Sequence, residues 1–79
     1  MIISKAIALR ISNLCTQKNL SINKLALMSG LTQSTLQSIM DGKSRNPKVL
    51  TLVRVCESLD LELKDFFEDP VFENLDSEL

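Results

Sequence analysis

Residues 20 to 42 read LSINKLALMSGLTQSTLQSIMDG, and this stretch decides the fold. Ser21 suits a helix N-cap, because its hydroxyl can accept from an N–H of the first turn, and the segment after it turns Leu25 and Ala26 inward. Gly30 supplies the positive φ that a sharp turn needs. Thr32 caps a second segment whose apolar face is Leu36 and Ile39. Residues 22–40 therefore predict a helix-turn-helix, with helices from Ile22 to Ser29 and from Gln33 to Met40. Ala26 is small enough to let the two helices cross closely. Gln33, Ser34, Thr35, Gln37 and Ser38 are left on faces that the core does not need.

Working outward, the chain reads as all-α. Ile7, Ile11 and Leu14 recur at helical spacing and predict a first helix from about Ile3 to Lys18. Leu52, Val55, Cys56 and Leu59 predict a fourth from about Lys48 to Leu59, started after Pro47, whose fixed φ and missing N–H suit a helix entry. A fifth is expected from Leu63 to Glu68, with the aromatic pair Phe66 and Phe67. After Pro70, the spacing of Val71, Phe72, Leu75 and Leu79 is close to one helical face, so a short sixth helix is an alternative to a loose tail. The expected division is a domain over residues 1–69 and an acidic tail, helical or not, over 70–79. No internal repeat or low-complexity linker interrupts it.

Seventy-nine residues allow one small core and leave no room for a second, ligand-sensing domain. No apolar run is long enough to cross a membrane, and no charged-then-apolar leader opens the chain, so a cytoplasmic location is expected. Cys15 and Cys56 fall on faces that read as buried, and without histidine they make no metal set, so both are expected to be structural thiols. The same lack of histidine, and of any Asp, Glu, Ser or Cys set spaced as nucleophile and base, argues against an enzyme. No cofactor is implied.

The formal net charge of −1 conceals a segregated chain. Residues 1–54 hold eight Lys and Arg against Asp41 alone, whereas residues 55–79 hold Lys64 against nine Asp and Glu. A basic half suits a polyanion partner, and the acidic half is expected to turn away from it.

These features together resemble a known family. The ordered set of Gly30, Gly42, Pro47, Thr51-Leu52, Leu59 and Phe66-Phe67, within residues 7 to 67, is similar to the DNA-binding domain of the Cro and phage-repressor type, the xenobiotic response element group. The resemblance implies a five-helix repressor-like fold that places the 33–40 helix in the major groove of double-stranded DNA. Carried across, Thr32, Gln33, Ser34, Gln37 and Ser38 become base-reading candidates. Glutamine is apt, since its amide can donate and accept at once to adenine. Lys43, Ser44, Arg45 and Asn46 become a phosphate clamp, with Ile22, Asn23 and Thr35 as further phosphate contacts near the helix starts. Ile22 offers only its backbone N–H, where many relatives carry a glutamine.

The resemblance further implies a bacterial or phage-encoded transcription regulator, repressor-like and acting as a homodimer, because one short reading helix covers few bases. Leu27 and Met28 are apolar where relatives are usually polar. With Ile22 or the tail they suggest the alternative of a protein-interaction module, such as an antitoxin-like partner. Cys15 and Met40 stand where phage repressors often place an Arg and a Glu that pair across helices; here both are apolar, which avoids a buried unpaired charge.

Overall fold

A computed structural model describes residues 1–78. Five helices follow in order, α1 (Ile3–Lys18), α2 (Ile22–Met28), α3 (Gln33–Met40), α4 (Val49–Ser58) and α5 (Leu63–Phe67), and then a single 3-10 turn (Pro70–Phe72). The expected ends at Ser29, Lys48, Leu59 and Glu68 are caps rather than helical residues. Pro47 accordingly lies one residue ahead of the α4 cap.

Four helix ends close by the same hydrogen-bond device. A residue in the left-handed region donates to the carbonyl three back, and the next residue donates to the carbonyl five back. At α1 these are Asn19 to Thr16 and Leu20 to Cys15; at α2, Gly30 to Leu27 and Leu31 to Ala26. At α3 they are Gly42 to Ile39 and Lys43 to Ser38; at α4, Asp60 to Glu57 and Leu61 to Cys56. Leu20, Leu31 and Leu61 then pack against the core, so three of the turns are held by an apolar side chain as well as by backbone bonds. Lys43 does not, and after α3 the chain leaves the core for an exposed loop. A Cβ on Gly30, at φ +67°, would meet nothing within 4 Å, so only backbone strain opposes a substitution there. Gly30→Ala should therefore lower stability by about 1–2 kcal/mol in a thermal melt. A neutral result would mean that the turn does not need the left-handed conformation.

The core draws on every helix: Ile7, Ile11, Leu14 and Cys15 from α1, Leu25 and Ala26 from α2, Leu36 and Ile39 from α3, Leu52, Val55, Cys56 and Leu59 around α4, and Phe66 from α5. Helix α1 packs across α3 and α2, α2 meets α3 and α4, and α5 lies against α4. Met40 is half-buried against the cluster that contains Cys15. Both thiols are free, and burial pushes the Cys15 and Cys56 pKa values up; for Cys56 the Arg10 charge partly offsets this.

Arg10 departs from its expected place in a DNA-facing basic half. Its guanidinium is buried, donating from Nε to the Phe66 carbonyl at 2.9 Å and from Nη2 to the Asp65 carbonyl at 3.1 Å. Nη1 pairs with Asp69 at 3.0 Å, and the group sits 5.9 Å from the Phe66 ring centroid. Arg10 thus ties α1 to the carboxyl end of α5.

The segment after α5 is not a sixth α-helix. Asp69 accepts the Val71 N–H and starts the 3-10 turn, but Glu73 is extended and Asn74 takes φ +55°, which stops helix growth. Phe72 packs back on Phe67 and Phe66 with ring centroids 4.9 and 5.9 Å away. Leu75 remains 38% exposed, and Leu79 lies outside the described residues. Asp76 then meets the other end of the chain, its N–H donating to the Met1 carbonyl and its carboxylate accepting from the Met1 ammonium at 2.7 Å. That hydrogen bond and the ammonium charge hold the Asp76 carboxyl below the usual carboxylate range. A depressed carboxylate stabilises the fold above its unfolded-state pKa, so this contact is lost as pH falls through the lowered value.

Candidate nucleic-acid interface

The start of α3 is set by a cap that occupies one base-reading candidate, Thr32, and one phosphate candidate, Thr35. Thr32 Oγ1 accepts from the Thr35 N–H at 3.2 Å and lies 2.8 Å from Thr35 Oγ1, so the two hydroxyls satisfy each other. Leu36 and Ile39 are fully buried, which fixes the rotation of the helix about its axis. That rotation leaves Gln33 and Ser34 exposed, with no intrachain side-chain hydrogen bond among the described residues. Gln37 and Ser38 are half-buried. Gln37 donates from Nε2 to Asp41 one turn on, at 2.9 Å, which orients its amide and leaves the side-chain oxygen open. Of the five base-reading candidates, Gln33 and Ser34 are thus the most fully presented.

The phosphate candidates divide by position. Lys43, Arg45 and Asn46 are exposed and Ser44 half-buried, in the loop that Gly42 begins at φ +78°. At the start of α2, Ser21 Oγ accepts the Lys24 N–H at 3.0 Å. Asn23 is exposed beside it, whereas Ile22 packs its side chain on the core and leaves the apolar surface patch expected of it. Leu27 and Met28 remain in that patch, at 73% and 45% exposure.

An open cleft of about 470 Å³ separates α3 from α4. Thr35, Ser44 and Asn46 line it, and so do Lys48 and Arg54, over an apolar floor that includes Leu31, Ile39 and Leu50. These two cations were counted in the basic half but not singled out by the sequence reading. A separation of six residues is not a same-face helical spacing and Lys48 only caps α4, so no local pattern places both on one wall. The acidic half is also not turned away as expected: Glu78 Oε1 lies 3.0 Å from Arg45 Nη2, at the edge of the loop.

A short helix with an exposed polar front, preceded by a capped helix and followed by a cationic loop, is a helix-turn-helix nucleic-acid-binding module. The chain belongs to the family of Cro/C1-type HTH DNA-binding domains, which it matches over residues 10–71. It is similar to the HTH-type transcriptional regulator SlrR of Bacillus subtilis (strain 168), with 40% identity over 52 residues, covering 66% of this chain and 34% of that protein. The chain thus matches about a third of that relative's length. Its fold is also that of the prophage Lp1 protein 11 crystal structure, at TM-score 0.83 and 33% identity, covering 95% of this chain and 100% of the other. No helix among the described residues is long and apolar enough to cross a membrane.

Proposed function

We propose that this chain is a sequence-specific DNA-binding transcription regulator, repressor-like and of the xenobiotic response element group, bacterial or phage-encoded and acting in the cytoplasm. The observation that carries the reading is the exposed, uncommitted pair Gln33 and Ser34 at the front of α3, beside the loop of Lys43 and Arg45. Residues 1–69 form the binding domain and 70–79 its acidic tail. With α3 in the major groove, Gln33 and Ser34 read base edges, helped by Gln37 and Ser38, while Thr32 chiefly holds the helix start. Lys43, Ser44, Arg45 and Asn46 clamp the backbone, with the Asn23 and Ile22 N–H groups on one side and Thr35 on the other. Lys48 and Arg54 extend the clamp along the cleft. No Lys or Arg lies within α3, so discrimination rests on neutral hydrogen bonds, and two copies on a two-fold site supply the remainder.

Selection of bound duplexes from a random library gives the preferred site, against which two variants separate reading from clamping. Arg45→Ala should weaken preferred and random duplexes by a similar factor and make the salt slope shallower by about one. Gln33→Ala should cost about 1–3 kcal/mol on the preferred site, little on random DNA, and leave the slope unchanged. If Gln33→Ala weakens both alike, or the selection enriches nothing, α3 does not read bases. The exposed Leu27 and Met28 would then favour the second reading, a protein-interaction module of antitoxin-like type that meets its partner through α2.

A further inference from the structure

The acidic segment after Phe72 ends on the loop that the proposed function assigns to phosphate. Residues 65–78 contain no Lys or Arg. The segment is pinned where Asp76 meets Met1, and two residues later Glu78 reaches Arg45 at 3.0 Å, across 33 positions of sequence. The Glu78 side chain is 35% exposed and that of Arg45 68%, so the carboxylate has approached a cation that stays open to a larger anion. We propose that residues 73–78 are a built-in competitor of DNA phosphate, with Glu78 occupying Arg45 in the free protein and leaving it when DNA arrives. This rests on the DNA-binding reading above and adds to it a control carried within the chain.

The chemistry suits a contact that is made and broken. An exposed ion pair is weak, and it is formed here because a short tether raises the local carboxylate concentration to about the millimolar range. DNA offers phosphates at close, regular spacing and releases counterions on binding, so it displaces a single carboxylate. Displacement lowers the apparent affinity for every duplex by the same factor, whatever its sequence. Salt weakens the internal pair as well, since exposed charges are screened over about 8 Å at physiological ionic strength. The competitor therefore acts most at low salt and flattens the salt dependence of the whole protein.

Glu78→Gln removes the charge and keeps the chain length. It should bind preferred and random duplexes about two- to five-fold more tightly at low salt, with a steeper salt slope, and converge with the unaltered protein at high salt. Glu73→Gln makes the same change of net charge in the same exposed segment and should gain clearly less. In an Arg45→Ala background, Glu78→Gln should have no further effect. Equal gains from Glu73→Gln and Glu78→Gln, or an undiminished gain without Arg45, would show general charge repulsion and overturn the competitor while leaving DNA binding intact. Failure of both the unaltered protein and Glu78→Gln to bind any duplex would overturn the competitor together with the reading it rests on.

Discussion

Replacement of Arg10 by alanine is expected to remove a large share of the stability of this domain. The guanidinium satisfies two α5 carbonyls and the Asp69 carboxylate, and its side chain is only 11% exposed. Removing one partner of a mostly buried pair costs about 3–5 kcal/mol, because the other is left desolvated and unpaired. A domain of this length has a total stability of about 4–12 kcal/mol, so the loss approaches the lower end of the whole. Urea unfolding followed by circular dichroism would measure it. Arg10→Lys should recover little, since one ammonium cannot serve three acceptors in the geometry of a planar fork. Asp69→Asn should cost less than Arg10→Ala, because the carbonyl bonds remain. A change below about 0.5 kcal/mol for Arg10→Ala would place it with ordinary surface substitutions and remove the argument that Arg10 anchors α5.

The second large effect is expected on the other side of the core. Cys15 is 4% exposed within the apolar core cluster, and a charge introduced there has no partner. Cys15→Arg should destabilise the fold by several kcal/mol through a buried unpaired charge and overpacking. Met40 is half-buried against the same cluster, so Met40→Glu alone should be milder. If the two positions form an apolar replacement for an ion pair, Met40→Glu added to Cys15→Arg should recover part of the loss. A double-mutant cycle reads this coupling directly. A near-neutral Cys15→Arg with no coupling would reject the pairing.

The helices were legible because their signals are local. Periodic leucines and isoleucines, Ser21 and Thr32 as caps, and Gly30 and Gly42 as left-handed turns all act within about six residues of one another. Asn19 and Asp60 make the same left-handed ends of α1 and α4, but asparagine and aspartate also populate ordinary turns and caps, so the sequence does not single them out. The Gln37–Asp41 contact followed a readable one-turn spacing that was not used. Arg10 was counted with the DNA-facing cations because its partners lie 55 to 59 residues away, where no local pattern reaches. The meeting of Glu78 with Arg45 was hidden for the same reason. The tail, left open between a short sixth helix and a loose end, keeps only a 3-10 turn, because its apolar spacing serves the packing of Phe72 on two rings without a continuous backbone helix.

The helix ends have a consequence for how such a protein can change over time. At α1, α2 and α4 the residue after the left-handed turn is a leucine set against the core, whereas at α3 it is Lys43. Substitutions at Leu20, Leu31 or Leu61 loosen both a turn and the interior, so a lineage can alter them only within a narrow range. From Lys43 to Asn46 the backbone is still fixed at its origin by bonds to Ser38, but its exposed side chains carry little of the interior. New target preferences can therefore accumulate in that loop and on the front of α3 while the scaffold that presents them stays unaltered.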